Sequence, residues 1–329
     1  MDNTNIVNAS ASSKVMKQKD MKKVATRQLV VKIISLILIY AFLFAIAVLV
    51  IFPFYFMIIS SLKSPDEFEQ IKPSLLPWQF NKGNNWAEHI DWANYAEVFT
   101  NPNLELGQLM GNTVFVGIVS TVLSLIVTIL SAFAFARLEF KGKNALFAAL
   151  LATMMIPGEL FTITNYGTVS AFGSKEFLGG ALSWMGKNTF GVLIVPFLVS
   201  VFYIYLLKQN FQQVPNELYL AAKVDGTKDL KYLWKVMIPL ALPTIISITI
   251  LKMMGSWNSY MWPKLVANDQ AHRLITNGLR EAFADSTGKT QDIPLQMAAV
   301  AVVSLPLFLV FVFLRKYIMK GVSRSGIKG

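Results

Sequence analysis

The sequence contains no cysteine, which excludes disulfides, a thiolate nucleophile and any Cys-ligated metal. Histidine is almost missing. His89 and His272 stand far apart in the chain, which argues against a His-rich metal centre. Charge is also scarce, at 15% of residues, where a soluble domain carries about 25%. Apolar side chains take its place: 54% of the 329 residues are hydrophobic and the mean hydropathy is +0.50. This balance points to lipid as the solvent. A phosphate-cradling G-x-x-x-x-G-K-[ST] loop is missing too. Thr287-Gly288-Lys289-Thr290 repeats only its last half, and Phe283 stands where the first glycine is needed.

What remains is a series of long apolar windows. A bilayer-crossing helix needs about 20 mostly apolar residues. Residues 33–62, 106–136, 188–207 and 293–314 carry no charge and are read as four spans. Two more candidates carry one charge each. One runs from Asn144 to Thr164 with Glu159 late in it, and the other from Val236 to Trp257 with Lys252 late in it. A long side chain placed there reaches the interface or a wet cavity. Six transmembrane helices are therefore expected. No cleavable signal peptide is evident, because the first apolar run is too long for a signal core. Residues 1–32 are read as a polar tail, 33–62 as the first span, 63–105 as an outer loop, 106–316 as a helical core and 317–329 as a second tail.

The net charge of +11 would suit nucleic acid, but topology accounts for it. With the N-terminal tail inside, segments 1–32, 137–143, 208–235 and 315–329 hold 20 basic and 6 acidic residues. The opposite segments, 63–105, 159–187 and 252–292, hold 10 basic and 13 acidic residues. Basic residues collect on the cytoplasmic side of membrane proteins, so both termini are expected there and nucleic acid is not needed as a partner. Trp78, Phe80, Trp86, Trp92, Tyr95 and Phe99 enrich the outer loop; they belong either to the interfacial aromatic belt or to a small packed cap.

The segment between the fourth and fifth spans has its own pattern. It reads Val214-Pro215-Asn216-Glu217-Leu218-Tyr219-Leu220-Ala221-Ala222-Lys223-Val224-Asp225-Gly226-Thr227 and leads on to Pro239 and Pro243. Pro215 suits the first turn of a helix and Glu217 its dipole. Ala221 and Ala222 leave one face small. Gly226 suits a helix end that needs a left-handed residue. A second helix is expected from Lys228, with Leu230, Leu233 and Trp234 on one side, running into the fifth span. On helix physics alone, an interfacial amphipathic linker gives the same pattern.

This segment resembles the EAA loop of binding-protein-dependent ABC importer permeases, through Pro215, Glu217, Leu218, Ala221, Ala222, Asp225, Gly226, Pro239 and Pro243. Ser256-Trp257-Asn258-Ser259-Tyr260-Met261-Trp262-Pro263 resembles the Trp-Asn…Trp-Pro stretch of the carbohydrate-uptake branch. The Lys320–Gly329 tail resembles that of the maltose-type second permease subunit. The resemblance implies an all-α polytopic membrane protein of the bacterial inner membrane, with a coupling loop at 210–238. It implies a homologous second permease subunit, two ATPase subunits that hold ATP and Mg, and an extracytoplasmic solute-binding protein. It implies no catalytic residue, cofactor or metal in this chain. The cargo it implies is a sugar or oligosaccharide, with glycerol-phosphate-type solutes as an alternative. Docking to the ATPase falls to Glu217, Tyr219, Leu220, Ala221, Ala222, Asp225 and Gly226. The family's glutamate aligns with Leu220, so the charge at the contact is left to Glu217 or Asp225.

A sugar path needs hydroxyl-bonding groups and aromatic faces in a wet cavity. Asn112, Thr113, Glu159, Trp257, Asn258 and Tyr260 are candidates; as belt anchors or helix–helix bonds they have ordinary explanations. Asn268, Asp269 and Arg273 are candidates for contact with the binding protein. An ion-coupled secondary transporter is the competing class. It buries ionisable residues at the midplane, and four of the six windows have none. An intramembrane enzyme would need a richer inventory of catalytic side chains.

Overall fold

The computed structural model describes residues 3–65, 90–102, 104–174, 178–283 and 292–323, all in helices, turns and connecting segments with no strand among them. Trp78, Phe80 and Trp86 of the outer loop, the half-motif at 287–290 and residues 324–329 of the tail lie outside the described residues. The chain divides into two units, Met1–Ile59 and Ser60–Gly329.

The first unit lies within helix α1 (Asn3–Ser61). The stretch expected as a polar tail is helical here, continuous with the first span. No glycine or proline occurs between Asn3 and Phe52, so nothing in the sequence breaks the helix. From Gln28 to Tyr55 every side chain is exposed, although the segment is the most apolar of the chain. Such a surface is stable only against lipid or another apolar helix.

The second unit is a helical bundle centred on α3 (Leu106–Arg137), which follows the short α2 (Ala93–Thr100). Among the described residues, four helices are long and apolar enough to cross a membrane. Two bent pairs raise that number to six if each pair counts as one span. The first pair is α4 (Lys143–Thr153) with the turn Gly158–Leu160 and α5 (Phe161–Phe172), bent by 80°. The window from Asn144 to Thr164 is therefore not one straight helix. Pro157 follows the break, and the residue before a proline is pushed out of helical geometry. The second pair is α6 (Phe190–Ile194), continued to Phe197, with α7 (Val201–Gln212), bent by 45°. Pro196 falls before this break, and Ser200 caps the second half by accepting from the Tyr203 amide at 3.4 Å.

After α7 come α8 (Asn216–Val224), α9 (Asp229–Tyr232), a π-helical turn at Leu233–Met237 and α10 (Ile238–Trp257). The wide turn sits directly before Pro239, which has no amide to give to an i−4 carbonyl. Helices α11 (Met261–Val266), α12 (Ile275–Ala282) and α13 (Ile293–Ser323) complete the chain. Helix α3 packs on α7 and α10, and α10 packs on α13.

One apolar cluster fills the end of the bundle beside α8. It includes Phe133, Leu207, Phe211, Tyr232, Leu233 and Met237. Leu233 is thus a core residue, whereas Leu230 and Trp234 are exposed on the other side; the expected common face does not form. A second cluster, at the other end of α3, holds Val98, Leu109, Trp257, Ile275 and Leu295. Tyr95 packs on it and shares a 2.7 Å hydrogen bond with Ser61, while Trp92 and Phe99 stay exposed.

Arg137 ends α3 and is buried. Its guanidinium donates to the carbonyls of Phe211 at 2.9 Å and Val214 at 2.5 Å, and to Asn216 Oδ1 at 3.2 Å. The Phe211 carbonyl lies in the last turn of α7, where it also accepts from the Val214 amide at 3.3 Å, and the Val214 carbonyl lies just beyond the helix. Arg137→Ala should cost about 2–3 kcal/mol, since buried acceptors lose a charged donor. Thermal unfolding of the chain in detergent should report a lower midpoint, with Arg137→Lys recovering part of it.

Candidate functional site

Helix α8 is short and built to protrude. It begins after Pro215, and Glu217 lies in its first turn. It ends in a Schellman motif: the Gly226 amide bonds the Lys223 carbonyl at 3.0 Å and the Thr227 amide bonds the Ala222 carbonyl at 2.8 Å. Gly226 has φ 71°, the left-handed conformation this ending requires. The helix then divides by face. Tyr219 and Ala222 turn inward onto the core cluster. Glu217, Leu220, Ala221 and Val224, spaced i, i+3, i+4 and i+7, are exposed together. Val224 is 89% exposed and Leu220 55%, an apolar edge that no described residue covers.

The inward face is anchored by polar contacts as well. The Tyr219 hydroxyl donates to Asp229 Oδ1 at 2.8 Å, and its ring lies 5.2 Å from that of Tyr232. Lys223 Nζ pairs with the same Asp229 oxygen at 2.6 Å. Burial, then the bond to Asp229, raises the Tyr219 phenol above its ordinary pKa. The Asp229 bond likewise holds the Lys223 ammonium above its usual value. The pair is half-exposed, so it orients the helix more than it stabilises it. The residues expected to dock thus separate: Glu217, Leu220, Ala221 and Asp225 face outward, while Tyr219 and Ala222 mount the helix on the bundle.

Farther along the bundle is a cavity of about 400 Å³. Hydroxyls of Ser120, Ser200, Tyr203, Ser256 and Ser259 line it with Lys252, among Val116, Phe197 and Trp262. Ser120 and Ser256 share a 3.2 Å hydrogen bond across α3 and α10. Trp262 Nε1 donates to the Val192 carbonyl at 2.9 Å, which fixes one wall. Sequence reasoning passed over these serines. Their signal was a hydroxyl repeat inside otherwise apolar windows, and small polar residues in spans also serve helix packing.

None of the six expected path residues lines this cavity. The Asn112 amide is spent on the Ala271 and Arg273 carbonyls, at 2.9 and 3.0 Å. Thr113 is buried and its Oγ1 accepts from the Ile275 amide at 2.8 Å. Both hold the loop before α12 in place. Trp257 is in the second core cluster, and Asn258 bonds the Met254 carbonyl of its own helix. Glu159 is exposed in the turn that follows the break at Pro157. Tyr260 lines a separate hollow of about 310 Å³ together with Asn268 and Arg273, two of the residues expected to meet a binding protein. The third, Asp269, pairs with His272 at 2.7 Å.

A bundle of bent and straight apolar helices, a hydroxyl-lined cavity within it and a rigidly mounted helix beside it define a membrane transport subunit. The sequence profile of the binding-protein-dependent transport system inner membrane component matches residues 15–324, and the chain belongs to that family. Its relatives include the polygalacturonan/rhamnogalacturonan transport system permease protein YtcP of Bacillus subtilis (strain 168), 28% identical, with 89% of this chain and 97% of that protein aligned. The diacetylchitobiose uptake system permease protein NgcG of Streptomyces coelicolor is 27% identical, with 87% of each chain aligned. A chain in the crystal structure of a bacterial ABC transporter that imports the acidic polysaccharide alginate shares the fold. Its TM-score is 0.70 at 22% identity, over 85% of this chain and 95% of that one.

Gly226→Val should strain the Schellman ending by about 1–2 kcal/mol, because a β-branched residue resists φ > 0. Amide hydrogen exchange should then speed up across 216–227 while the core around Phe211 keeps its protection.

Proposed function

We propose that this chain is the sugar- or oligosaccharide-carrying permease subunit of an ATP-driven importer, with α8 as the helix that seats in a separate ATPase. The observation that carries this reading is the mounting of α8. Its inner face is packed into the bundle core and bonded to Asp229, whereas its outer edge is bare. A helix tied to the bundle in this way passes a push from outside on to α3, α7 and α10 as one body. The relatives named for polygalacturonan, rhamnogalacturonan and diacetylchitobiose support saccharide cargo.

The assembly follows the same reading. A second, related permease closes the path, two ATPase subunits supply the energy through ATP and Mg, and a solute-binding protein delivers the cargo. The charge asymmetry favours α8 and both termini on the cytoplasmic side. The hollow around Tyr260 then opens outward, where Asn268, Asp269 and Arg273 meet the binding protein. With Leu220 and Val224 at the contact, docking rests on apolar burial, and Glu217 and Asp225 supply charge at its rim.

The absence of cysteine makes this testable with single introduced thiols. In the assembled importer, Leu220→Cys and Val224→Cys should cross-link to an ATPase subunit engineered with cysteines along its permease-facing groove, and Ala222→Cys should not. A membrane-impermeant maleimide added to intact cells should label Asn268→Cys and reach Val224→Cys only after permeabilisation. Labelling of Val224→Cys from outside, or cross-linking from Ala222→Cys alone, would refute the proposed docking face.

A further inference from the structure

The cavity and the outer hollow share a charge pattern that the importer reading does not use. Lys252 is the only charged residue among the described residues lining the cavity, and no carboxylate accompanies it. Its Nζ donates to the Phe197 carbonyl at 2.7 Å, a backbone group beside the break between α6 and α7. A carbonyl is a dipole and not a counter-ion, and it takes one of three ammonium donors. An unbalanced charge inside a membrane bundle is costly and marks a functional position.

The hollow repeats the pattern. Lys264, Arg273 and Arg280 line it against the single carboxylate of Glu281. None of the three cations is in an ion pair among the described residues. The Arg280 guanidinium and Lys264 Nζ lie 5.3 and 5.6 Å from the centre of the Tyr260 ring. This runs against the trend of its side, because the segments expected outside hold 10 basic and 13 acidic residues. Three of those bases gather in one concavity with one of those acids.

The two spaces are also neighbours. Ser259, Trp262, Pro263 and Leu274 line the cavity, and Tyr260, Lys264 and Arg273 line the hollow. Neighbouring residues of α11 and of the segment before α12 thus wall both. Positive potential on both sides of that wall concentrates anions and disfavours cations.

We propose that the cargo is an anionic saccharide, bearing carboxylate or phosphate groups, with Lys252 as its counter-ion in the cavity and Lys264, Arg273 and Arg280 as its entry site. The proposal rests on the saccharide-importer reading. Arginine forks bind such oxyanions in two-point fashion, and the Tyr260 face offers a flat surface to a sugar ring. Acidic residues of a docked protein would also satisfy the outer cations, but they give no account of Lys252 inside the bundle.

The test uses the whole importer, with sister permease, ATPase and binding protein, reconstituted in liposomes. It is offered trigalacturonate, its trimethyl ester and glucose 6-phosphate. ATP-dependent uptake of an anion, and not of the ester, is expected, and whichever anion enters distinguishes carboxylate from phosphate cargo. Lys252→Met should lower that uptake about tenfold or more, and Lys252→Arg should keep it within about threefold, because the pairing of a partly buried charge is at stake. Copurification of the ATPase with Lys252→Met checks that the variant is folded. Unchanged anion uptake in Lys252→Met overturns the proposal, as does wild-type uptake of the ester at the rate of the acid. If Arg273→Ala/Arg280→Ala weakens only the hold on the binding protein, the hollow is a protein-docking patch and the proposal falls. Uptake of the ester alone leaves the importer reading intact and removes the anion inference; no ATP-dependent uptake of any probe removes both.

Discussion

Much of this structure depends on one buried cation. The Arg137 guanidinium joins the end of α3 to carbonyls at and just beyond the end of α7 and to the first residue of α8. Those carbonyls lie where the helix ends, and the chain must still turn into α8. Without the guanidinium, that turn would lose its charged donor at the edge of an apolar core. With it, three elements are fixed at one point. The Tyr219–Asp229–Lys223 contacts tether the other side of α8.

Rigidity at that end and irregularity elsewhere suit the same task. The bundle has two bent pairs and a π turn, each placed beside a proline. Broken helices are tolerated at membrane depth only where side chains or a cavity re-satisfy the freed backbone groups. Ser200 and Lys252 do this for the α6–α7 pair. The cavity borders the same break, through Phe197, Val199 and Ser200. The break thus also contributes Ser200 to the hydroxyls of the cavity, beside Tyr203 of α7.

The limits of sequence reasoning follow from this. Periodicity located the apolar windows, but it could not show that two of them bend, because a proline inside a window is compatible with both a kinked helix and a break. Asn112 and Thr113 were legible as polar residues at the mouth of a span. Their actual use, holding the 270–275 loop, depends on a segment about 160 positions away. Tyr219 and Leu220 are neighbours in the motif, and only the packing of α8 on Phe211 and Tyr232 sends one inward and the other out.

The sequence by itself determined the solvent, the number of apolar windows and the family, since each depends on composition or on a contiguous motif. It also determined that Gly226 would take a left-handed turn, a local property of a helix ending. Tertiary structure decided which side chains are shared between elements. It placed Lys252 beside a carbonyl, with no carboxylate among the described residues lining the cavity, and collected Lys264, Arg273 and Arg280 around Tyr260. It also left the Leu220 and Val224 edge bare. These are properties of surfaces formed by distant segments, and a linear pattern carries no record of which segments will meet.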